Sequence, residues 1–219
     1  YELERKTSKE RLRRQKERLD DFASVVSHDL RSPLAVLKGN LELAEETGDA
    51  DYFDKCRDAM DRMERLTDDL LSLARDVDGA EMTRNVDLPG VIEECWRNVP
   101  TEDAELEVET DDKITADEGK LRLMLHNILK NSVEHGGYVT VTVSDVEGGF
   151  RIEDDGPGMS EEDRDRVFEP GYSTSDDGTG LGMYIAEQVA EAHGWEVDVV
   201  EGRKKGAAFD ITGVERNGK

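Results

Sequence analysis

The chain has 219 residues, enough for one or two ordinary domains, and is 36% hydrophobic, 5% aromatic and 37% charged. Asp and Glu number 53 against 29 Lys and Arg, a formal net charge of -24, which disfavours nucleic acid and anionic membrane as general partners. The apolar residues are patterned rather than scattered, which argues against disorder and leaves room for two small cores.

The acid is spread over the whole chain. It reads as adaptation to high salt, where screening relieves self-repulsion; an ordinary acidic cytosolic protein is the alternative. Cys56 and Cys95 make no metal or disulfide framework and read as reduced, structural residues of a cytoplasmic protein. No apolar run is long enough to span a bilayer, and no signal peptide is visible. The first residue is Tyr1 rather than Met, so the expectation is a fragment whose upstream part is missing.

In chain order, residues 2–19 are charged and rich in helix formers, a solvated helix entering something larger. Leu12, Leu19 and Val26 recur every seventh residue, as in a short coiled-coil seam. Past Pro33, Leu34, Leu37, Leu41 and Ala44 share one helix face. Thr47-Gly48-Asp49 breaks the pattern, with Gly48 as a C-cap signal. A second helix carries Phe53, Cys56, Met60, Met63, Leu70 and Leu73, with Thr67 in the one polar slot. Two amphipathic helices joined by a short turn predict an antiparallel hairpin, and two hairpins pair naturally into a four-helix homodimer.

The helical pattern stops near Asp76-Val77-Asp78-Gly79. Beyond it, residues 88–99 predict a short helix with Pro89 in its first turn. Leu106 and Val108 alternate with acids as in a half-buried strand. Asp117 caps a helix from about Glu118 to Glu134. Val139, Val141 and Val143 alternate cleanly, and Gly148-Gly149 predicts a hairpin turn into Phe150 and Ile152. A helix from about Leu181 to Ala192 precedes a closing hairpin, Trp195–Val200 and Ala207–Ile211. The fold class is α+β: a helical hairpin, then a two-layer sandwich with a mostly antiparallel sheet. The expected domains are 1–19 (helix or linker), 20–79 (helical hairpin) and 80–215 (two-layer sandwich).

Four segments can carry chemistry. In Ser27-His28-Asp29-Leu30-Arg31-Ser32-Pro33, an exposed histidine beside a carboxylate can act as a nucleophile with a neighbouring base, and Pro33 removes a helical hydrogen bond. A surface His-Asp pair at a kink fits equally. Asn127, Asn131 and His135 lie four apart on one helix face. A neutral amide oxygen there can join Mg²⁺ beside phosphate oxygens and waters, or simply bond a neighbouring loop. Asp154-Asp155-Gly156-Pro157-Gly158 follows a strand; an aspartate there can accept from an exocyclic amine, or the segment is a plain turn. Gly178-Thr179-Gly180-Leu181-Gly182 opens a helix whose bare N–H groups favour phosphate, although a lone glycine run is weak evidence. The roughly twenty polar and glycine-rich residues between the last two segments are long enough for a mobile lid.

In combination and order, these segments resemble the phosphoacceptor and ATP-binding domains of sensor histidine kinases. Ser27 to Pro33 resembles the H box, Asn127 to His135 the N box, Asp154 to Gly158 the first glycine box, Val167-Phe168-Glu169-Pro170 the F box and Gly178 to Gly182 the second glycine box. The resemblance spans residues 20–213.

The resemblance implies an ATP-dependent autokinase that phosphorylates itself and then passes the group to an aspartate of a response-regulator receiver domain. His28 would be the phosphoacceptor and Asp29 its acid-base partner. Asn131 would be the main Mg²⁺ ligand, with Asn127 near the triphosphate, and Asp154 would read the adenine amine. Gly156, Gly158, Gly180 and Gly182, with Phe168, Thr179 and Leu181 in the same boxes, would shape the pocket and lid. Glu134 stands where many members carry Lys or Arg, leaving Lys130 or His135 to supply positive charge. Ser32 stands where phosphatase-active members have Thr or Asn, and keeps a hydroxyl able to hold a water. Ala208 replaces a frequent Thr near the last strand. Two rivals remain: another ATPase of the same nucleotide-binding superfamily, which leaves the His28 hairpin unexplained, and a non-catalytic dimeric scaffold.

Overall fold

The structure is a computed structural model that describes residues 23–24, 26–27, 30–75, 83–100, 104–175 and 178–216. His28, Asp29, the 1–19 linker with Leu12 and Leu19, and the 76–79 break lie outside the described residues. Two compact units emerge, one holding residues up to Asp68 together with Pro170–Gly180, the other Asp69–Glu169 and Leu181–Lys219.

The first unit holds the helical hairpin, formed by α1 (residues 30–47) and α2 (Asp51–Arg75) as far as Asp68. The helix runs through Pro33 without a break in its assignment. Gly48 adopts φ +68°, and its N–H donates to the Ala44 carbonyl, the geometry a left-handed C-cap requires. The Asp49 carboxylate then accepts the Asp51 N–H at 3.1 Å and starts α2. The buried positions are Pro33, Ala44, Cys56, Ala59 and Leu66. Cys56 Sγ lies 3.6 Å from the Leu37 carbonyl across the hairpin. The face expected to be buried is therefore split. Leu34, Leu41, Phe53 and Met60 are exposed within one chain, at 54%, 44%, 49% and 45%.

Residues 170–180 belong to this unit by contact. The Gly171 N–H donates to the Gly180 carbonyl at 3.0 Å and closes the base of the loop. Gly180 sits at φ +67°, and a Cβ there would overlap the Gly171 backbone.

The second unit is a two-layer sandwich. Its five-stranded sheet has the order β2 (Ala104–Val108), β4 (Val139–Val146), β5 (Gly149–Asp154), β7 (Ala207–Thr212), β6 (Glu196–Glu201). Only β2–β4 is parallel; the other pairs are antiparallel. The helices α4 (Glu118–Gly136) and α6 (Gly182–His193) pack on one face of the sheet and on each other, and α3 (Leu88–Trp96) packs on α4. Period-2 alternation sends Val141, Val143, Ile152, Phe209 and Ile211 into the core, all essentially inaccessible, against Leu121, Leu125, Ile128 and Leu129 of α4. The N-cap prediction holds: Asp117 Oδ1 accepts the Lys120 N–H at 3.2 Å.

Three elements go beyond the sequence reading. β1 (Thr83–Asp87) and β3 (Lys113–Ala116) form a separate two-stranded antiparallel sheet. Neither shows apolar alternation, and β1 carries a register shift with Asn85 at φ 64°. Within the stretch read as a lid, α5 (Glu161–Arg166) is a short helix with no buried residue. A wholly polar helix has no hydrophobic period to detect, but its Ser160–Asp163 capping pair is written in the sequence, with the Asp163 N–H donating to Ser160 Oγ at 3.1 Å. The β4–β5 turn falls at Glu147-Gly148, with Gly149 already in the strand, one residue earlier than Gly148-Gly149 predicts.

Candidate functional site

The site grows from the C-terminal half of α4, the end of β5 and the start of α6. On α4, Asn127 is buried; its Nδ2 donates to the Leu123 carbonyl at 2.9 Å. Its Oδ1 faces the first turn of α6, where a Cβ on Gly182 would come within 2.9 Å of it. A glycine at that position lets the helix start approach the carboxamide. One turn on, Asn131 is half-buried, with no side-chain hydrogen bond among the described residues. Lys130 leans along the helix toward Glu134, 3.7 Å away, and His135 is exposed in the last turn.

Asp154 ends β5 and is 7% exposed. Its Oδ1 accepts two backbone N–H groups, from Gly156 at 3.0 Å and from Ala207 at 3.2 Å. Burial raises its carboxyl above the ordinary range, and these two N–H groups oppose the shift. The Ser132 hydroxyl, 2% exposed, lies beside the carboxyl and eases its charge but falls short of hydrogen-bond geometry. Asp155 is the reverse case. The Thr140 N–H donates to its Oδ1 at 2.7 Å, Lys204 reaches its Oδ2 at 3.1 Å, and its carboxyl is held below the ordinary range. Adjacent aspartates thus have opposite environments: one inward and desolvated, the other outward and paired.

The glycines around Asp154 mark close approach. A Cβ on Gly156 would stand 3.0 Å from the Gly136 Cα at the end of α4. Gly158, at φ +73°, would overlap the Lys205 carbonyl, and Gly206 would overlap the Asp154 carbonyl. The 202–206 turn between β6 and β7 is thereby seated on the Asp154–Gly158 loop.

Of the sequence-derived residues, the structure sets Asn127 against Gly182, and Asp154 against Gly156, with Gly158 joined to them through the 202–206 turn. Leu181 is fully buried and its carbonyl accepts the Ile185 N–H. Phe168 is half-buried just past α5, after buried Val167. Thr179 and Gly180 lie in the 170–180 segment of the other unit, and Ser32 is exposed on α1. Ser132, Gly206, Ala207 and the Asp155–Lys204 pair escape the sequence reading. Ser132 lies inside the N box, so its position there is the signal that could have found it. Ala207 acts through its backbone N–H, which no residue identity records.

The donor set suits a nucleotide with its own cation rather than a free-standing metal centre. Asn131 offers one neutral amide oxygen, enough only beside phosphate oxygens and waters. Among the described residues, no group of three His, Cys, Asp or Glu side chains could hold an ion by itself. A buried carboxylate fixed by backbone donors fits the amine of a base.

Two family models match the chain. Residues 18–79 match the His Kinase A (phospho-acceptor) domain, and residues 116–214 match the histidine kinase-, DNA gyrase B- and HSP90-like ATPase domain. Sporulation kinase A of Bacillus subtilis is 29% identical over 87% of this chain and 34% of its own length. The sensor histidine kinase ZraS of Klebsiella oxytoca is 31% identical over 87% of this chain and 45% of its own. The chain thus spans between a third and a half of the length of these relatives. Full-length ShkA, solved with AMPPNP, aligns at TM-score 0.60 with 27% identity, covering 91% of this chain and 47% of that one. The histidine kinase ThkA, solved in complex with the response regulator TrrA, shares the fold at TM-score 0.73 and 20% identity, covering all of this chain and 67% of that one.

Proposed function

Because this chain belongs to the sensor histidine kinases, joining a phosphoacceptor domain to an ATPase domain, we propose that it moves the γ-phosphoryl group of ATP onto its own His28. The phosphohistidine then passes the group to an aspartate of a response-regulator receiver domain. The observation that carries the reading is the buried Asp154 carboxylate, fixed on two backbone N–H groups in a chain whose residues 18–79 also match the phospho-acceptor domain. A degenerate scaffold has no reason to keep a desolvated carboxylate at that cost.

In this reading Asp154 accepts the adenine amine, and Asn127 lies by the triphosphate. Gly156, Gly158 and Gly182 let backbone approach the nucleotide, with Phe168 and Leu181 completing the walls, and Thr179 and Gly180 keep the phosphate-binding role that the second glycine box implies. Asn131 holds Mg²⁺, which when bound neutralises phosphate charge. The imidazole nitrogen of His28 forms the new N–P bond, the bond from the γ-phosphorus to its bridging oxygen breaks, and ADP leaves with that electron pair. Asp29 takes the imidazole proton. Lys130, 3.7 Å from Glu134, or His135 supplies positive charge in place of the Lys or Arg that Glu134 replaces. Ser32 can hold a water for the reverse, phosphatase reaction.

The exposed row Leu34, Leu41, Phe53 and Met60 supports a homodimer in which a second hairpin covers it. The domain limits 20–79 and 80–215 follow from the same division of labour, with 1–19 as a coiled-coil linker from a sensor region and the kinase portion working in the cytoplasm. No helix of the described residues is long and apolar enough to cross a membrane.

Incubation with Mg²⁺ and ATP labelled in the γ-phosphate tests the proposal. Acid-labile label that disappears in His28→Gln is expected. ATP hydrolysis without self-labelling would replace the kinase reading with that of a plain ATPase.

A further inference from the structure

We propose that Glu153 and Arg203 are positioning residues for the nucleotide base, acting from the opposite face of the sheet through the 202–206 turn. The inference rests on the reading of Asp154 as the group that meets the base amine.

Consecutive residues of a strand point to opposite faces. Asp154 therefore points into the site, while Glu153 points to the helix-free face. Glu153 is nevertheless buried, at 7% exposure. Its Oε2 accepts the backbone N–H of Arg203 at 3.1 Å, and its Oε1 lies 3.0 Å from Arg203 Nε. Arg203 Nη2 in turn donates to the buried Ser144 Oγ at 3.3 Å. An ion pair between exposed side chains would count for little. Here the carboxylate is desolvated and half of its hold is a backbone donor, so it locks the chain at Arg203.

The residues after Arg203 form the wall of the base site. The turn closes through the Gly202 N–H to the Gly206 carbonyl at 2.9 Å and the Lys205 N–H to the Gly202 carbonyl at 3.1 Å. Lys205 sits at φ 73°, a conformation held against its own preference. Gly206 then lies against the Asp154 carbonyl, Ala207 donates to Asp154 Oδ1, and the Lys205 carbonyl lies against Gly158. The turn has no slack: a shift at Arg203 displaces the donor that orients Asp154.

The test is calorimetric binding of ADP and of purine riboside diphosphate, which lacks the 6-amine, to the whole chain with Mg²⁺. Wild type, Glu153→Ala and Arg203→Ala are compared, with amide exchange at Ala207 followed by NMR. Wild type is expected to prefer ADP by roughly tenfold or more. Glu153→Ala should weaken ADP by roughly tenfold while leaving the analogue within about twofold, and should speed exchange at Ala207. Arg203→Ala keeps its backbone N–H and should fall between. Cooperative melts that retain full preference for ADP and unchanged Ala207 exchange would overturn the inference. If Glu153→Ala fails to fold, the exposed Arg203→Ala decides the matter by the same readouts. A wild type indifferent to the amine would instead sink the reading of Asp154, and this inference with it.

Discussion

Asp154 shows how one buried side chain is held at a cost to stability. Its carboxyl is raised above the ordinary value of 3.8 chiefly by desolvation. A raised carboxyl contributes stability that is fully present below its unfolded-state value and is lost as pH rises through its folded value. At neutral pH the nucleotide-free fold therefore carries a buried charge as a cost. Asp154→Asn keeps an oxygen for the Gly156 and Ala207 N–H groups and removes that charge. The variant should melt higher than wild type at pH 7, with the gap closing as pH falls through the folded value toward 3.8. It should also lose roughly tenfold to a hundredfold in nucleotide affinity, because its amide presents a donor to the base amine. Paired melting curves and ADP titrations check both signs. Asp155, one residue on, has the opposite environment and the opposite sign, since its lowered carboxyl gives stability that disappears in acid.

At the level of elements, the hairpin and the small sheet carry separate predictions. Cys56, Ala59 and Leu66 bury one edge of α2, while Phe53 and Met60 on the same helix stay exposed. Phe53→Glu or Met60→Glu should leave the hairpin folded and shift the chain from dimer to monomer in analytical ultracentrifugation; a variant still dimeric at micromolar concentration would count against this face. In the sandwich, Arg216 ties three elements. It pairs with Asp112 at 2.9 Å just before β3, and donates to the Val146 carbonyl at 3.0 Å and to the Gly149 carbonyl, across the β4–β5 turn. Arg216→Ala should cost about 2 kcal/mol, since it leaves those acceptors unpaired. A thermal melt or urea titration reads it directly.

At the scale of the whole molecule, a net charge of -24 opposes compaction unless screened. The chain should melt higher in molar KCl than in dilute buffer, and equal melting temperatures would remove the high-salt reading. Much of the architecture is legible in the residues because it rests on local repetition. Three-four spacing announces α1 and α2, Asp117 announces the start of α4, and Val139–Val141–Val143 announces β4. The order of the five boxes does the same for the family. Other features need the fold. β1, β3 and α5 carry no apolar period. The split of the α2 stripe depends on where α1 lies. One of the two donors to Asp154 and the backbone donor to Glu153 are amides 53 and 50 residues away along the chain. The sequence by itself determined the family and the helices and strands that rest on a period, because side-chain identity and periodicity are written residue by residue. Only the tertiary structure decided how Asp154 is held, because a backbone N–H is the same in nearly every residue and becomes specific only when the sheet sets it beside its acceptor.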